Sequence, residues 1–285
     1  MKTTHGILAF FLLLLLLICS LLSCGAGDGR AVIAVTIPPE ADFVRAVAGE
    51  DFRIITMVPP GYSPEAYEPT PRTMVDFANA VAFFSMGLPV DTATLVPVLS
   101  ASTRHTALDE VVREVYPDLT MDGGRDPHIW LSPRRAALMV ERIAEELAVL
   151  RPDRADFYRL NAEAYLARLA AADARVKTAL LESGTTEFIV YHPAFGYLAD
   201  EYGLTMHALE EHGREATAAH MAEMVELAKD KSIRVIFYQA ETDSRQAEAF
   251  ARDIGGRAAC LAPLSEDYIG NLESMASAIA DAKGE

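Results

Sequence analysis

Three short stretches of the chain carry the side chains best able to do chemistry. The first is Val58-Pro59-Pro60-Gly61-Tyr62-Ser63-Pro64-Glu65-Ala66-Tyr67-Glu68-Pro69-Thr70-Pro71. Five prolines and a glycine in fourteen residues stiffen it, so it can hold Glu65 in a fixed direction before anything binds. The second, Asp126-Pro127-His128-Ile129-Trp130-Leu131-Ser132-Pro133, sets a histidine beside the only tryptophan of the chain. The third, Tyr191-His192-Pro193-Ala194-Phe195-Gly196-Tyr197, places a histidine at the carboxyl end of an apolar run. Imidazole and carboxylate are common ligands of first-row metal ions, and flanking prolines fix their direction. Singly each signal is weak, because a histidine after a strand is more often a hydrogen-bonded core residue. The combination of three such loops, spread over both halves of the chain, makes the case for a metal site.

The elements around these loops alternate. In the first half, Ala31–Thr36, Phe52–Val58 and Val81–Met86 read as buried strands. Helices are expected over Pro39–Ala48, closed by Gly49, and from Pro71, with Thr70 as N-cap. Leu95–Ala101 reads as helical, Thr106–Val115 is ambiguous, and Asp118–Asp126 reads as a polar loop. From Pro133 the pattern changes. Pro133–Leu150 reads as one helix with Ser132 as its cap. Pro152–Glu182 reads as a second, with apolar residues every three or four positions and no internal Pro or Gly. Such a helix spans roughly 45 Å, the length of a rod joining two lobes; the alternative is two shorter helices with a break. Beyond it, strands at Phe188–His192, Leu204–Leu209, Val235–Gln239 and Ala258–Leu261 alternate with helices at Ala194–Tyr202, Thr217–Lys229, Asp243–Ile254 and Tyr268–Ala282. The fold class expected is α/β, with two α/β lobes of mostly parallel sheet joined by a long rigid helix. The expected division is a leader at 1–23, a first lobe at 24–151, the connecting helix at 152–182 and a second lobe at 183–285.

The start of the chain reads as a secretory leader. Lys2 precedes an uninterrupted apolar run from Gly6 to Ile18, too short to span a bilayer comfortably. Leu21-Leu22-Ser23-Cys24 follows, a lipoprotein cleavage box that makes Cys24 the candidate lipidation site; Cys19, preceded by Ile18, is the poorer candidate. With Cys24 lipidated, Cys260 is the one cysteine left, so neither an intrachain disulfide nor a cysteine zinc cluster can form. Removing 1–23 takes away Lys2 and no acid, and the net charge moves from −16 to −17 with His neutral. A chain this acidic excludes nucleic acid as the expected partner.

At this point the sequence resembles a known family, the metal-binding lipoproteins of bacterial ABC importers for zinc and manganese. Pro60-Gly61-Tyr62-Ser63-Pro64 with Tyr67-Glu68-Pro69-Thr70 is similar to the family's first ligand loop, Asp126–Pro133 to its second, and Tyr191–Tyr197 with Tyr202-Gly203-Leu204 to its third. The order matches over nearly the whole mature chain. The resemblance implies two lobes clamped on a connecting helix, a metal ion in the cleft, and docking on a membrane permease rather than catalysis. It carries over a ligand set of Glu65, His128 and His192. Two departures stand out. The family usually has histidine where this chain has Glu65, and an aspartate ligand in an Asp-Pro-Leu segment where this chain has Ala262-Pro263-Leu264. The fourth position is therefore open, with Glu210, Glu241, Glu266 or a bound water as candidates.

Zinc is the first expectation for the cargo, with manganese and iron(II) as alternatives. Two His and one Glu make a zinc site, yet a carboxylate in place of imidazole favours harder ions. The family's zinc-specific members commonly carry a His-rich acidic insertion before the second loop, where this chain has only Asp118–Asp126. Of the other histidines, His105 and His220 are expected at the surface, and His207 and His212 flank Glu210 and Glu211 in a polar loop. The expected protein is a monomeric, membrane-anchored receptor, periplasmic or on the cell surface, whose lobes move little because the helix resists bending. The alternatives are a metal-dependent hydrolase, for which no HExxH, GxSxG or phosphate loop is present, and a surface adhesin with a degenerate metal site.

Overall fold

The computed structural model describes residues 29–121, 124–210 and 216–282. The leader, Cys24, His5 and His212 lie outside them. Val32–Glu285 forms one compact unit, and among the described residues no helix is long and apolar enough to cross a membrane.

In chain order the elements are β1 Val32–Val35, α1 Pro38–Ala48, β2 Arg53–Thr56, α2 Pro71–Ala78, β3 Ala80–Ser85, β4 Arg104–Ala107, α3 Leu108–Arg113, β5 Thr120–Met121, β6 Gly124–Arg125, α4 Pro133–Leu150 and α5 Ala155–Ser183. Then follow β7 Glu187–Val190, α6 Gly196–Tyr202, β8 Thr205–Ala208, α7 Ala218–Asp230, β9 Val235–Gln239, α8 Arg245–Asp253, β10 Arg257–Leu261 and α9 Tyr268–Asp281. Two four-stranded sheets result, ordered β2-β1-β3-β4 and β10-β9-β7-β8, and every pairing within them is parallel. The two α/β lobes joined by a long helix stand as expected.

Local chemistry explains the ends. The Thr70 hydroxyl accepts from Thr73 N and opens α2, and Ser132 does the same from Arg135 N for α4. The long helix departs slightly from expectation. Pro152–Arg154 form a 3-10 turn and the α-helix starts at Ala155. Asp51 secures that turn, accepting from Arg154 Nε and Tyr158 Oη at 2.8 Å each. From there the helix runs 29 residues without a break to Gly184. Three other readings change. Leu95–Ala101 is not an α-helix; a π-turn at Asp91–Leu95 passes into a 3-10 turn at Val96–Val98, since Pro97 offers no N–H to continue a helix. Thr106–Val115 divides between β4 and α3. The loop before Asp126 contains an antiparallel ribbon, β5 with β6.

The core decides how the lobes relate. One apolar cluster runs from Ile33 and Phe43 through Trp130, Met139 and Tyr165 to Phe188, Phe237 and Ile279. It therefore passes from the first sheet, under α4 and α5, to the second sheet and α9. Alternate residues of the second sheet, Ile189 and Ile236, face the other way into a smaller cluster with Phe250. Two buried hydrogen bonds staple the junction: Trp130 Nε1 donates to Pro263 O at 2.9 Å and Tyr268 Oη to Trp130 O at 2.6 Å. A third tie is the Arg135 guanidinium, which lies 4.6 Å from the Tyr197 ring centre and 5.3 Å from that of Tyr116.

Candidate metal centre

Each of the three loops delivers one side chain to a common point. Glu65 sits in the loop between β2 and α2, whose backbone turns back on itself. Tyr62 N donates to Pro59 O, Ala66 N and Tyr67 N donate to Ser63 O, and Gly61 takes φ +85°, a value that favours glycine. The Ser63 hydroxyl accepts from Glu65 N, and the Tyr62 and Tyr67 rings pack 4.9 Å apart.

His128 follows β6 and is 4% exposed. Asp126 holds it twice through one oxygen, Oδ1, which accepts from His128 N at 2.9 Å and from Nδ1 at 2.8 Å. His192 follows β7 and is 9% exposed. Its Nδ1 lies 2.5 Å from Glu210 Oε2. Both rings thus have Nδ1 on a carboxylate, which keeps a proton on Nδ1 and turns Nε2 toward Glu65. Both Nε2 atoms face Glu65: Oε1 is 3.2 Å from His192 Nε2 and 3.9 Å from His128 Nε2. The two imidazoles meet edge to face at 5.6 Å.

Among the described residues, this trio is the one group of three or more His, Cys, Asp or Glu whose donor atoms lie within 4.8 Å of one another. A tetrahedral ion with bonds of about 2.1 Å holds its donors about 3.4 Å apart. The two distances from Glu65 bracket that value, and all three donors lie within 4.8 Å of one another. The cavity between the three has a volume of about 10 Å³, space for one ion or one water.

The charge state follows from the contacts. Burial works against a proton on His192, but the hydrogen bonds and charges of Glu210 and Glu65 outweigh it and push its pKa up to about 9. The hydrogen bond from His192 in turn holds the Glu65 carboxyl below the usual range, against the opposing effect of burial. Without metal, the centre is an imidazolium between two carboxylates.

Of the candidates for the fourth donor, Glu210 is taken up by His192. Glu266 pairs with Arg45 Nη1 at 3.7 Å on the surface. Glu241 belongs to neither the trio nor its cavity, and burial raises its pKa. Ala262 contributes only its carbonyl, which accepts from Asn271 Nδ2. Sequence reasoning missed Gln239, which lines the cavity from the end of β9. Its position at the carboxyl end of a central parallel strand, where such sheets gather ligands, was the available signal. Of the remaining histidines, His105 is exposed as expected but lies on β4, where its Nε2 is 2.8 Å from Ser85 Oγ. His207 pairs with Glu187 at 2.9 Å, and His220 Nε2 lies 3.1 Å from Ala208 O.

Known proteins resemble this chain over most of its length. The family model described as "Zinc-uptake complex component A periplasmic" matches residues 33–282. The chain is 28% identical over 308 residues to the zinc-binding lipoprotein AdcA of Streptococcus pneumoniae, covering 98% of this chain and 60% of that protein. It is 27% identical over 250 residues to the high-affinity zinc uptake system protein ZnuA of Bacillus subtilis, covering 81% of this chain and 77% of that one. A crystal structure of a ZnuA deletion mutant with zinc bound superposes with a TM-score of 0.83 at 31% identity, covering 89% of this chain and 98% of that one. The chain thus spans less than two thirds of the length of the streptococcal lipoprotein.

Proposed function

Because the chain belongs to the family of the periplasmic zinc-uptake component A, we propose that it is an extracytoplasmic receptor. It captures a divalent metal ion, zinc first, between its two lobes and delivers it to an ABC permease. Glu65, His128 and His192 hold the ion. Cys24 carries the lipid that anchors the chain to the membrane, and the chain acts as a monomer. We take the first lobe as 24–151, the connecting helix as 152–182 and the second lobe as 183–285.

The observation that carries this reading is the convergence of three donors from three loops on both lobes, each histidine tied through Nδ1 to a carboxylate so that Nε2 turns to Glu65. Second-sphere carboxylates of this kind orient a ligand and raise its basicity. The same geometry disfavours a hydrolase. Asp126 and Glu210, the carboxylates nearest the histidines, are engaged as their partners, and a cavity of about 10 Å³ has no place for a substrate. Three donors in contact also weigh against a degenerate site on an adhesin. Manganese and iron(II) remain the alternative cargoes.

The test is the metal content of the full-length chain purified from metal-replete medium, with its thermal unfolding after chelation and readdition of each ion. An ion at a hundred times its dissociation constant stabilises by about 2.7 kcal/mol. Zinc is expected to copurify and to give the largest shift at equal concentration. No shift with zinc, manganese or iron(II) overturns the proposal.

A further inference from the structure

The trio leaves one position of a tetrahedral ion unfilled, and the side chains around the cavity narrow what fills it. Apart from the trio, three polar side chains line it: Ser63, Trp130 and Gln239. The Ser63 hydroxyl accepts from Glu65 N and so belongs to the loop's own turn. The Trp130 indole N–H is committed to Pro263 O at 2.9 Å and offers no lone pair. Gln239 remains. It is 7% exposed, and among the described residues no hydrogen bond holds its carboxamide. Its backbone is fixed at the end of β9, where its carbonyl accepts both Thr242 N and Thr242 Oγ1. A carboxamide has two donors and two acceptor lone pairs, and leaving such a group buried without partners is costly. Neither amide atom of Gln239 is among the fully enclosed polar atoms without a partner, so the carboxamide is unpaired yet open to the cavity it lines beside the three donors, where an ion would give it a partner.

We propose that Gln239 is the fourth donor, its amide oxygen completing the shell of the ion held by Glu65, His128 and His192. This rests on the metal-receptor reading above and deepens it by fixing the donor set. That set is two imidazoles, one carboxylate and one neutral carbonyl, with a single negative charge. A carbonyl oxygen suits harder ions better than a third imidazole would. It also binds a divalent ion less tightly than a second carboxylate, because it supplies a dipole in place of a charge. Gln239 therefore sets both the preference of the site and the ease with which it gives up its cargo.

The experiment compares wild type, Gln239→Leu and Gln239→Glu as full-length chains. Zn2+ affinity is measured by competition with a chromophoric chelator, and the Co2+-loaded visible spectrum reports the coordination. Gln239→Leu keeps the volume and removes the donor. It is expected to weaken Zn2+ binding at least about tenfold, the equivalent of one moderate interaction, and to change the Co2+ bands. Gln239→Glu keeps an oxygen donor and adds a charge, and is expected to bind Zn2+ more tightly than wild type. A Gln239→Leu chain, folded by circular dichroism, with wild-type Zn2+ affinity and an unchanged Co2+ spectrum overturns the inference while leaving the receptor reading intact. Should Gln239→Leu fail to fold, Gln239→Glu decides: tighter binding with shifted Co2+ bands supports the inference, and unchanged affinity and spectrum overturn it. A wild-type chain that binds neither ion brings down both readings together.

Discussion

A Cβ on Gly196 would lie 2.5 Å from Asp126 Oδ2. The first turn of α6, in the second lobe, is thus pressed against the carboxylate that orients His128 in the first. Asp126 is 2% exposed and its other oxygen already holds His128 twice, so it cannot swing aside without releasing the ring. Gly196→Ala should therefore lower metal affinity about 10- to 100-fold, the usual effect of disturbing the partner of a ligating histidine. A chelator-competition titration checks this, and an affinity within twofold of wild type would show that Asp126 gives way freely.

Metal capture should displace a proton. With the His192 pKa pushed up to about 9, the ring is an imidazolium at neutral pH and must lose that proton before Nε2 can bind an ion. Affinity should rise with pH up to about 9 and level off above it. Close to one proton per ion should be released at pH 7.5, read from calorimetry in buffers of different ionisation enthalpy. Release of no proton would contradict the His192–Glu210–Glu65 arrangement.

The metal-free fold should show the same group with the opposite sense. Its folded pKa lies above its ordinary value of 6.5. Below pH 6.5 the imidazolium is charged in both states and its full stabilisation is present. Between 6.5 and about 9 the contribution shrinks, and above 9 it is gone. Urea unfolding of the chelated chain should show stability falling over that window. Glu210→Gln, which removes one of the two carboxylates, should flatten the fall.

Glu65→His should increase the preference for zinc over manganese, since imidazole replaces the one charged, hard donor of the trio. Competition between the two ions on the variant and the wild type measures it. An unchanged preference would mean that Glu65 is not a ligand.

Trp130→Phe should destabilise the fold by about 1–3 kcal/mol through the buried Pro263 carbonyl it leaves without a donor. Tyr268→Phe should do the same through the carbonyl of Trp130. Denaturant midpoints at constant slope would read both. Because the two bonds share Trp130, the double variant should depart from additivity by at least about 0.5 kcal/mol.

Much of this architecture was legible because it is written in short-range chemistry. Ser132 and Thr70 as caps, the strands of the two sheets apart from β4, and the run of α5 follow from periodicity and capping. The loops around Glu65, His128 and His192 announced themselves through prolines beside polar residues. What escaped depends on contacts distant in sequence. Glu210 read as a candidate ligand, yet the pairing of Val190 with Ala208 brings it level with His192, where it serves as the ring's partner. Gln239 was passed over for Glu241 two residues on, and the packing of β9 brings Gln239 to the cavity. The 3-10 turn at Val96–Val98 was misread as a helix because its apolar spacing suits one and only the missing N–H of Pro97 argues otherwise.

The apolar core that runs unbroken beneath both sheets bears on how the cargo leaves. With α5 continuous and the lobes stapled through Trp130, no seam is available along which they could part widely. His128 and His192 are sealed at 4% and 9% exposure, whereas the Glu65 side chain is 39% exposed. Of the three proposed ligands Glu65 is the one most open to solvent, and it marks the way out for an ion held there. On the proposed receptor reading, unloading becomes a matter of ligand exchange at a single carboxylate, and the pace of handover should follow how readily one proline-braced loop lets go.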